Sequence, residues 1–145
     1  MANYTPPSFA DRTAGQKPRA RVFQKIDAKA KAEKVQREAY AAVDARDKKR
    51  CRCCGRKGNP NATTTLGRIH RAHIQDASKG GAMAAGNLVS LCWICHALEH
   101  GKQLHVIGTN ADLPAMRFEI HEAAVVDVFG ARVLPKHVRI VTGPR

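Results

Sequence analysis

Two pairs of cysteines in the middle of the sequence have the spacing of a metal site. Cys51 and Cys54 form one Cys-x-x-Cys pair, and Cys92 and Cys95 form the other. Zinc prefers four ligands in a tetrahedron, and each such pair can supply two neighbouring thiolates. We therefore predict a structural zinc ion held by these four residues, and the alternative is a set of reduced, buried thiols. By spacing alone, Cys53 competes with Cys54 as a ligand. Gly55 follows the first pair and can accept the positive φ that a tight thiolate-binding turn tends to need.

Three histidines in the same region could support proton transfer and binding of a divalent cation. His96 and His100 are four residues apart, so a helix would place both imidazoles on one face, where they can hold one metal ion. His73 ends a predicted strand, and an imidazole that titrates near neutrality can act as a general base. The alternatives are an ordinary strand histidine at His73 and a helix-end cation at His100.

The elements that position these residues are predicted from composition and periodicity. Residues 21–50 contain no glycine or proline and are rich in helix-forming residues, so they predict one long helix that ends in three basic residues. Residues 66–75 are predicted to form a strand and residues 76–86 a loop. Residues 92–100 are predicted to form a short helix that Gly101 ends.

The long helix carries an approximate apolar stripe, which predicts that it packs on the core. Its exposed face is basic and could lie along nucleic acid. The stripe consists of Phe23, Ile26, Ala30, Val35, Ala39 and Val43.

After Gly101 the sequence reads as a small β-appendage. Four short segments alternate in hydropathy or are apolar and β-branched, which is typical of strands. We expect them to pair as an antiparallel sheet. They are residues 103–107, 116–120, 124–129 and 137–141.

The charge of the chain favours a polyanionic partner. Lysine and arginine number 25 against 12 acidic residues, for a formal charge of +13. Residues 1–50 carry 13 basic and 6 acidic residues, and residues 51–102 carry 7 basic and 2 acidic residues. The basic surplus therefore lies in the N-terminal part and in the part that contains the two cysteine pairs. Such a surplus suits a nucleic acid. The sequence shows no apolar leader and no stretch long enough to span a membrane, and its Cys-x-x-Cys spacing is not typical of a secreted disulfide framework. We therefore expect a cytoplasmic protein without membrane partners.

The order of these residues resembles the HNH (ββα-metal) endonucleases over residues 51–108. The resemblance implies an α+β fold: a ββα-metal HNH core with structural zinc, preceded by a long helix and followed by a small β-appendage. We divide the chain into a flexible basic arm (1–20), the long helix (21–50), the HNH-like core (51–108) and a C-terminal β-extension (109–145). The resemblance is carried by His73, Gly80-Gly81, Asn87-Leu88, Leu91-Cys92, Cys95-His96 and His100-Gly101.

The resemblance also implies roles for individual residues. His73 would be the general base, Asn87 would fix the loop that orients it, and His96 with His100 would hold a catalytic divalent metal, which could be Mg²⁺, Mn²⁺, Ni²⁺ or Zn²⁺. The implied substrate is DNA, and the implied origin is a phage or mobile element with partner proteins of its own. The expected nucleic-acid-binding residues are Arg68, Arg71, Lys79 and Lys102.

The sequence departs from the family pattern at two positions. The family usually has a histidine or aspartate metal ligand where this chain has Ala72, and often an arginine where it has Ala77. His70 lies two residues before Ala72, about 6.6 Å away on the same strand face, and is our first candidate for the missing ligand. Asp76 is the second candidate.

Three functions are compatible with these patterns. The first is a metal-dependent HNH endonuclease that hydrolyses DNA phosphodiesters. The alternative is a non-catalytic, zinc-stabilised nucleic-acid-binding module that has lost the ligand at Ala72. A structural or assembly protein with a basic arm is a third reading. The retained histidines favour the enzyme because a pure binding module does not need them.

Overall fold

The structure is a computed structural model that describes residues 19–108, 111 and 116–142. The chain divides into two compact units, Met1–Lys34 and Val35–Arg145. The predicted basic arm, residues 1–20, lies outside the described residues up to position 18. The cysteines and histidines named above all belong to the second unit.

The first helix, α1, spans Arg19–Asp47, so the long-helix prediction holds but the helix ends earlier than expected. Lys48 and Lys49 have φ angles of 52° and 53°, in the left-handed region, which ends the helical hydrogen bonding. They therefore lie beyond the last turn, where Arg46 is the basic residue. The prediction that residues 48–50 complement the helix dipole from the last turn was wrong.

Only the C-terminal part of the predicted apolar stripe on α1 is buried. Ala39 and Val43 pack against Leu88, whereas Phe23 is 63% exposed and Ile26 56% exposed. The C-terminal end of the stripe therefore anchors the end of α1 to the core. No described helix, α1 included, is long and apolar enough to cross a membrane.

A ββα unit follows α1. Strand β1 (Ile69–His73) pairs antiparallel with β2 (Leu88–Cys92), and β2 runs directly into helix α2 (Trp93–His100). Strand β1 is shorter than the predicted 66–75 because a 3₁₀ turn, Thr65–Gly67, precedes it. All five residues of β2 are buried, which makes this strand the centre of the unit.

Helix α2 ends where predicted, but Gly101 does not have the left-handed conformation that is common for a glycine after a helix. Gly101 has a φ of −75°, and Lys102 has a φ of 59° instead. The position that usually favours glycine at a helix C-terminus is therefore occupied by a lysine.

The C-terminal part contains strands β3 (Leu104–Ile107), β4 (Arg117–His121) and β5 (Val138–Val141) in the order β3-β4-β5. Residues 124–129, predicted as a strand, belong instead to helix α3 (Glu122–Phe129). The buried residues of α3 are Ala124, Val128 and Phe129, which share one helical face. A short apolar run fits a buried helix as well as a strand, so hydropathy alone misassigned it.

The helix between β4 and β5 also determines the relative direction of these two strands. Strands β3 and β4 pair antiparallel as expected, but β4 and β5 pair parallel. A parallel pair needs a crossover connection, and α3 supplies it. The prediction of an entirely antiparallel appendage was therefore wrong.

One hydrophobic core joins the cysteine region, the hairpin and the C-terminal sheet. Phe118, Leu104 and Ile120 from the sheet belong to the same buried cluster as Leu91 and the cysteines. His137, just before β5, hydrogen-bonds through its ring Nε2 to the carbonyl oxygen of Cys53 at 3.0 Å. The C-terminal sheet is thus packed into the core, and it supports the loop that carries the first cysteine pair.

Candidate active site

Four cysteine thiols meet in the core of the second unit. Cys51, Cys54, Cys92 and Cys95 are buried, and their sulfur atoms all lie within 4.8 Å of one another. The sulfurs of Cys54 and Cys92 are 3.7 Å apart. Four thiolates at ~2.3 Å from a zinc ion would have a sulfur–sulfur separation of about 3.8 Å. The cluster therefore fits a tetrahedral structural zinc ion.

The backbone conformation around the first cysteine pair is that of a tight turn suited to metal binding. The backbone N–H of Cys54 donates to the sulfur of Cys51 at 3.5 Å, and Gly55 has a φ of 75°, as its position after the pair predicted. Cys53 is fully buried but lies outside the four-sulfur cluster, so the ambiguity between Cys53 and Cys54 is resolved in favour of Cys54.

The second pair comes from the junction of β2 and α2. Cys92 ends the strand, and Cys95 lies in the first turn of the helix. Hydrogen bonding with Cys51 lowers the pKa of the Cys92 thiol to about 7. Hydrogen bonds with Cys54 and with Cys51 raise the pKa of the Cys51 and Cys95 thiols, respectively, so only part of the cluster favours the thiolate form that binds metal.

A buried carboxylate that the sequence did not point to fixes this region to α1. The side chain of Asp47 is fully buried, accepts hydrogen bonds from Arg46 at 2.7 Å and Arg52 at 2.9 Å, and caps the backbone N–H of Ser90 at 3.1 Å. Burial raises the pKa of Asp47, but the hydrogen bonds from Arg46, Arg52 and Ser90 outweigh it and lower the pKa below its ordinary value. The end of α1 therefore holds the centre of β2 in place.

Three imidazoles converge where α2 packs on β1. The ring of His70 stacks on that of His96 with centroids 4.8 Å apart, and the Nε2 atoms of His96 and His100 are 3.1 Å apart. Glu99 joins them, because its carboxylate lies within 4.8 Å of the nitrogens of His96 and His100. Our sequence reasoning missed Glu99, although its position three residues after His96 places it on the same helix face.

The protonation of His96 suits metal binding. Burial lowers its pKa below the ordinary histidine value, and positive charge on His100 and His70 lowers it further. A metal ligand must be a neutral imidazole, so these neighbours favour the binding form. Imidazole ligands suit Zn²⁺ and Ni²⁺, and the added carboxylate is a ligand that also suits Mn²⁺.

Of the two candidates for the ligand missing at Ala72, only His70 contacts the imidazole group. Ala72 is 4% exposed and sits in the core, on the strand face it shares with His70. Asp76 forms an ion pair with Lys79 at 3.8 Å, and both side chains are more than half exposed.

His73 stands at the end of β1, one residue beyond Ala72. The hairpin register pairs it with Leu88, so strand alternation directs its side chain to the face opposite His70. Its Nε2 atom is buried and makes no hydrogen bond within the described residues. His73 also contributes to the wall of a polar cleft of about 180 Å³ that includes Glu99, Lys102 and His105. The cleft connects the end of β1 with the C-terminal end of α2.

Asn87 braces the loop that follows His73. Its side-chain oxygen accepts from the backbone N–H of Gln75 at 2.9 Å, and its amide donates to the carbonyls of Gln75 at 3.0 Å and Ala82 at 2.9 Å. The two ends of the 75–82 loop are therefore tied to one side chain. These three hydrogen bonds fix the loop that follows His73.

Gly81 allows this brace, and replacing it gives a direct test. A Cβ at position 81 would lie 1.8 Å from the carbonyl oxygen of Gln75 and 2.9 Å from the Asn87 amide nitrogen, so Gly81→Ala must displace the loop. We expect a loss of about 2–4 kcal/mol in the free energy of unfolding, measured by urea denaturation. Gly80→Ala is the control, because its Cβ meets nothing and only its φ of 83° is unfavourable; we expect about 1 kcal/mol. Equal losses in the two variants would contradict the brace.

The four predicted nucleic-acid-binding residues differ in the partners that their side chains have within the fold. Arg71 is bound by both oxygens of Asp44, and its guanidinium lies 5.0 Å from the centre of the Tyr40 ring. Its charge therefore has a partner within the fold. Arg68 donates to the carbonyl of Ala62 at 3.0 Å, and Lys79 and Lys102 are exposed beside the His73 cleft.

Comparison with known proteins agrees with this geometry. The family model described as HNH endonuclease matches residues 51–102, from the first cysteine of the tetrad to the residue that follows Gly101. No curated protein and no solved structure matches the chain. The match contains all four clustered cysteines and the His70–His96–His100 group, and it leaves α1 and β3–β5 outside. Residues 51–102 are therefore similar to the domain that the HNH endonuclease family model describes.

Proposed function

We propose that this protein is a metal-dependent endonuclease that hydrolyses DNA phosphodiester bonds. The observation that carries the proposal is the cluster of His96, Glu99 and His100 on one face of α2, on which His70 of β1 stacks, next to the cleft that His73 lines. A purely structural domain would gain nothing from a partly exposed group of three imidazoles and a carboxylate. Such a donor set fits a divalent metal ion.

In this proposal, His96 and His100 hold the catalytic metal, with Glu99 and His70 as further ligands. The donors at positions 70 and 99 compensate for Ala72, which has no ligand atom. A metal bound here would stabilise negative charge on the scissile phosphate and on the leaving oxygen.

His73 acts as the general base in the proposed reaction. It accepts the proton of the attacking water at Nε2, which is buried and has no hydrogen-bond partner among the described residues. A catalytic hydrogen bond of this kind often forms only when the substrate is bound. Asn87 keeps the loop after His73 in position through its three hydrogen bonds.

The DNA substrate is supported by charge and by the family match. The formal charge of +13 favours a polyanion, and the exposed lysines at positions 79 and 102 border the cleft. We therefore expect the affinity for DNA to be largely independent of sequence and to fall steeply with salt concentration.

A second function has a specific observation in its favour. Ala72 is buried in the core and carries no donor atom where the family usually has a metal ligand. A domain that had lost catalysis could keep the cysteine cluster and the basic surface and serve as a zinc-stabilised nucleic-acid-binding module.

Nicking of supercoiled plasmid distinguishes the two functions. We expect the purified protein to nick plasmid with Mn²⁺, Ni²⁺, Zn²⁺ or Mg²⁺, and we expect His73→Ala to lower the rate by about 10²–10⁴-fold, since it removes the general base. His121→Ala, on β4, is the control and should cut like the wild type. Protein that binds DNA but leaves the plasmid intact with every metal would support the binding module instead.

A further inference from the structure

The end of α2 departs from the usual chemistry of a helix C-terminus. The backbone N–H of Lys102 donates to the carbonyl of Glu99 at 3.1 Å, and that of Gln103 donates to the carbonyl of Leu98 at 2.8 Å. These two bonds form a Schellman motif, in which the residue at the Lys102 position is left-handed and is usually glycine. Lys102 has a φ of 59°, so this turn carries a side chain at a backbone cost that glycine would avoid.

A residue outside the HNH match holds this strained backbone. The ring Nε2–H of His105, on β3, donates to the carbonyl oxygen of Lys102 at 2.9 Å. Both residues also line the cleft of about 180 Å³ that contains His73 and Glu99. Strain of this kind is retained where the surrounding structure fixes it, and it concentrates at functional sites.

The chemistry of the cleft indicates its ligand. Its lining is almost entirely polar, and two ammonium groups, Lys79 and Lys102, border it. The Lys79 ammonium is 3.8 Å from the carboxylate of Asp76, with which it forms an ion pair. Lys102 is exposed, so its ammonium can reach a ligand at the mouth of the cleft. A phosphate group has the charge and the acceptor oxygens that such a lysine binds.

We propose that Lys102 and His105 form a phosphate-binding subsite that holds a DNA backbone phosphate next to the one being cut. Lys102 supplies the charge, and His105 positions it by holding the left-handed turn. The C-terminal sheet thereby contributes to substrate binding through β3. The identity of the ligand as DNA rests on the proposed function.

The test compares two lysines that share the same strained backbone. Lys48 also has a positive φ and an exposed side chain, but it follows α1 and does not line the cleft. Lys102→Gly and Lys48→Gly each remove one positive charge and one left-handed side chain. We expect both to raise the melting temperature by about 4 °C, because glycine relieves the strain.

Of these two variants, only Lys102→Gly should be impaired in cleaving and binding DNA. We expect its kcat/KM for plasmid nicking to fall about tenfold, the effect of losing one hydrogen bond to a charged group. Fluorescence anisotropy with a 20-base-pair duplex, without divalent metal, should show the slope of log K against log salt concentration reduced by about 0.9, the value of one phosphate contact. Lys48→Gly should leave both quantities close to wild type.

Two more variants separate charge from backbone. Lys102→Arg keeps the charge and should bind DNA like the wild type, whereas Lys102→Asn tolerates the left-handed backbone and should bind like Lys102→Gly. Unchanged binding in Lys102→Gly and Lys102→Asn, or an equal loss in Lys48→Gly, would overturn the subsite. A wild type that never nicks DNA would count against the endonuclease alone, since the binding measurements need no cleavage.

Discussion

Cys95→Ala should abolish folding, whereas Cys53→Ala should leave the protein folded. Both thiols are fully buried, but only Cys95 belongs to the four-sulfur cluster. Structural zinc contributes roughly 10–16 kcal/mol to the folding of small domains, which exceeds a typical total stability of about 5–15 kcal/mol. Removing one thiolate therefore eliminates more stabilisation than the domain is expected to have. Circular dichroism should show loss of cooperative unfolding in Cys95→Ala.

The matched variant makes the comparison specific to the metal. Like Cys95→Ala, Cys53→Ala removes one sulfur atom from a fully buried position. The small cavity that it leaves should lower the free energy of unfolding by only about 1–2 kcal/mol. Elemental analysis should find one zinc per chain in the wild type and in Cys53→Ala. A folded Cys95→Ala without zinc would show that the four thiols are a packing feature rather than a metal site.

His96→Ala should have the largest effect on catalysis among the proposed ligands. His96 is the central imidazole, stacked on His70 and 3.1 Å from His100 between their Nε2 atoms, so its loss removes the ligand that the others surround. A catalytic metal contributes several kcal/mol of transition-state stabilisation, which corresponds to roughly 10³-fold in rate. We expect nicking to fall by about that factor, with zinc content and melting temperature close to wild type.

The peripheral ligands provide a graded comparison. His70→Ala and Glu99→Gln each remove one of the additional donors, and calorimetric titration with Ni²⁺ should show weaker binding at the catalytic site in both. Their nicking rates should fall less than that of His96→Ala. If His70→Ala binds metal and cuts at the wild-type rate, the proposal that His70 compensates for Ala72 is wrong.

The structure also changes what can be expected of restoring the family pattern at position 72. Because the family usually has a histidine or aspartate ligand at this position, Ala72→His would restore its pattern. Ala72 is only 4% exposed and packs in the core with Val89, so an imidazole there would overfill a buried position. Overpacking typically costs about 1–3 kcal/mol. We therefore expect Ala72→His to be less stable than the wild type, which makes His70 the better position for testing the metal site.

Several features of this protein were determined by the sequence alone because they depend on short-range geometry. Spacing within each Cys-x-x-Cys pair and between His96 and His100 predicts which side chains share a turn or a helix face. Gly55 was predicted to accept a positive φ because a glycine follows the second cysteine, and its φ of 75° agrees. Local patterns also predicted β1 and α2, whereas the α+β class and the ββα order were implied by the family resemblance.

Other features were decided by tertiary structure because several local patterns were equally compatible with the sequence. Only the packing of β2 and α2 against the loop after α1 selects Cys54 over Cys53. Residues 124–129 could bury their apolar side chains as a strand or as a helix, and packing on the core selected the helix. The ion pair of Arg71 joins residues 27 positions apart in the chain, at Asp44, which no local pattern reveals.

In the candidate active site, too, some features followed from the sequence and others were decided by tertiary structure. Sequence spacing identified the imidazoles of α2, and strand alternation placed His70 on the face of Ala72. The contact of His70 with His96 and the cleft shared by His73, Lys102 and His105 required β1, α2 and β3 to come together in three dimensions. Neighbours along a strand or helix are fixed by its regular repeat, whereas contacts between elements depend on how the buried faces pack.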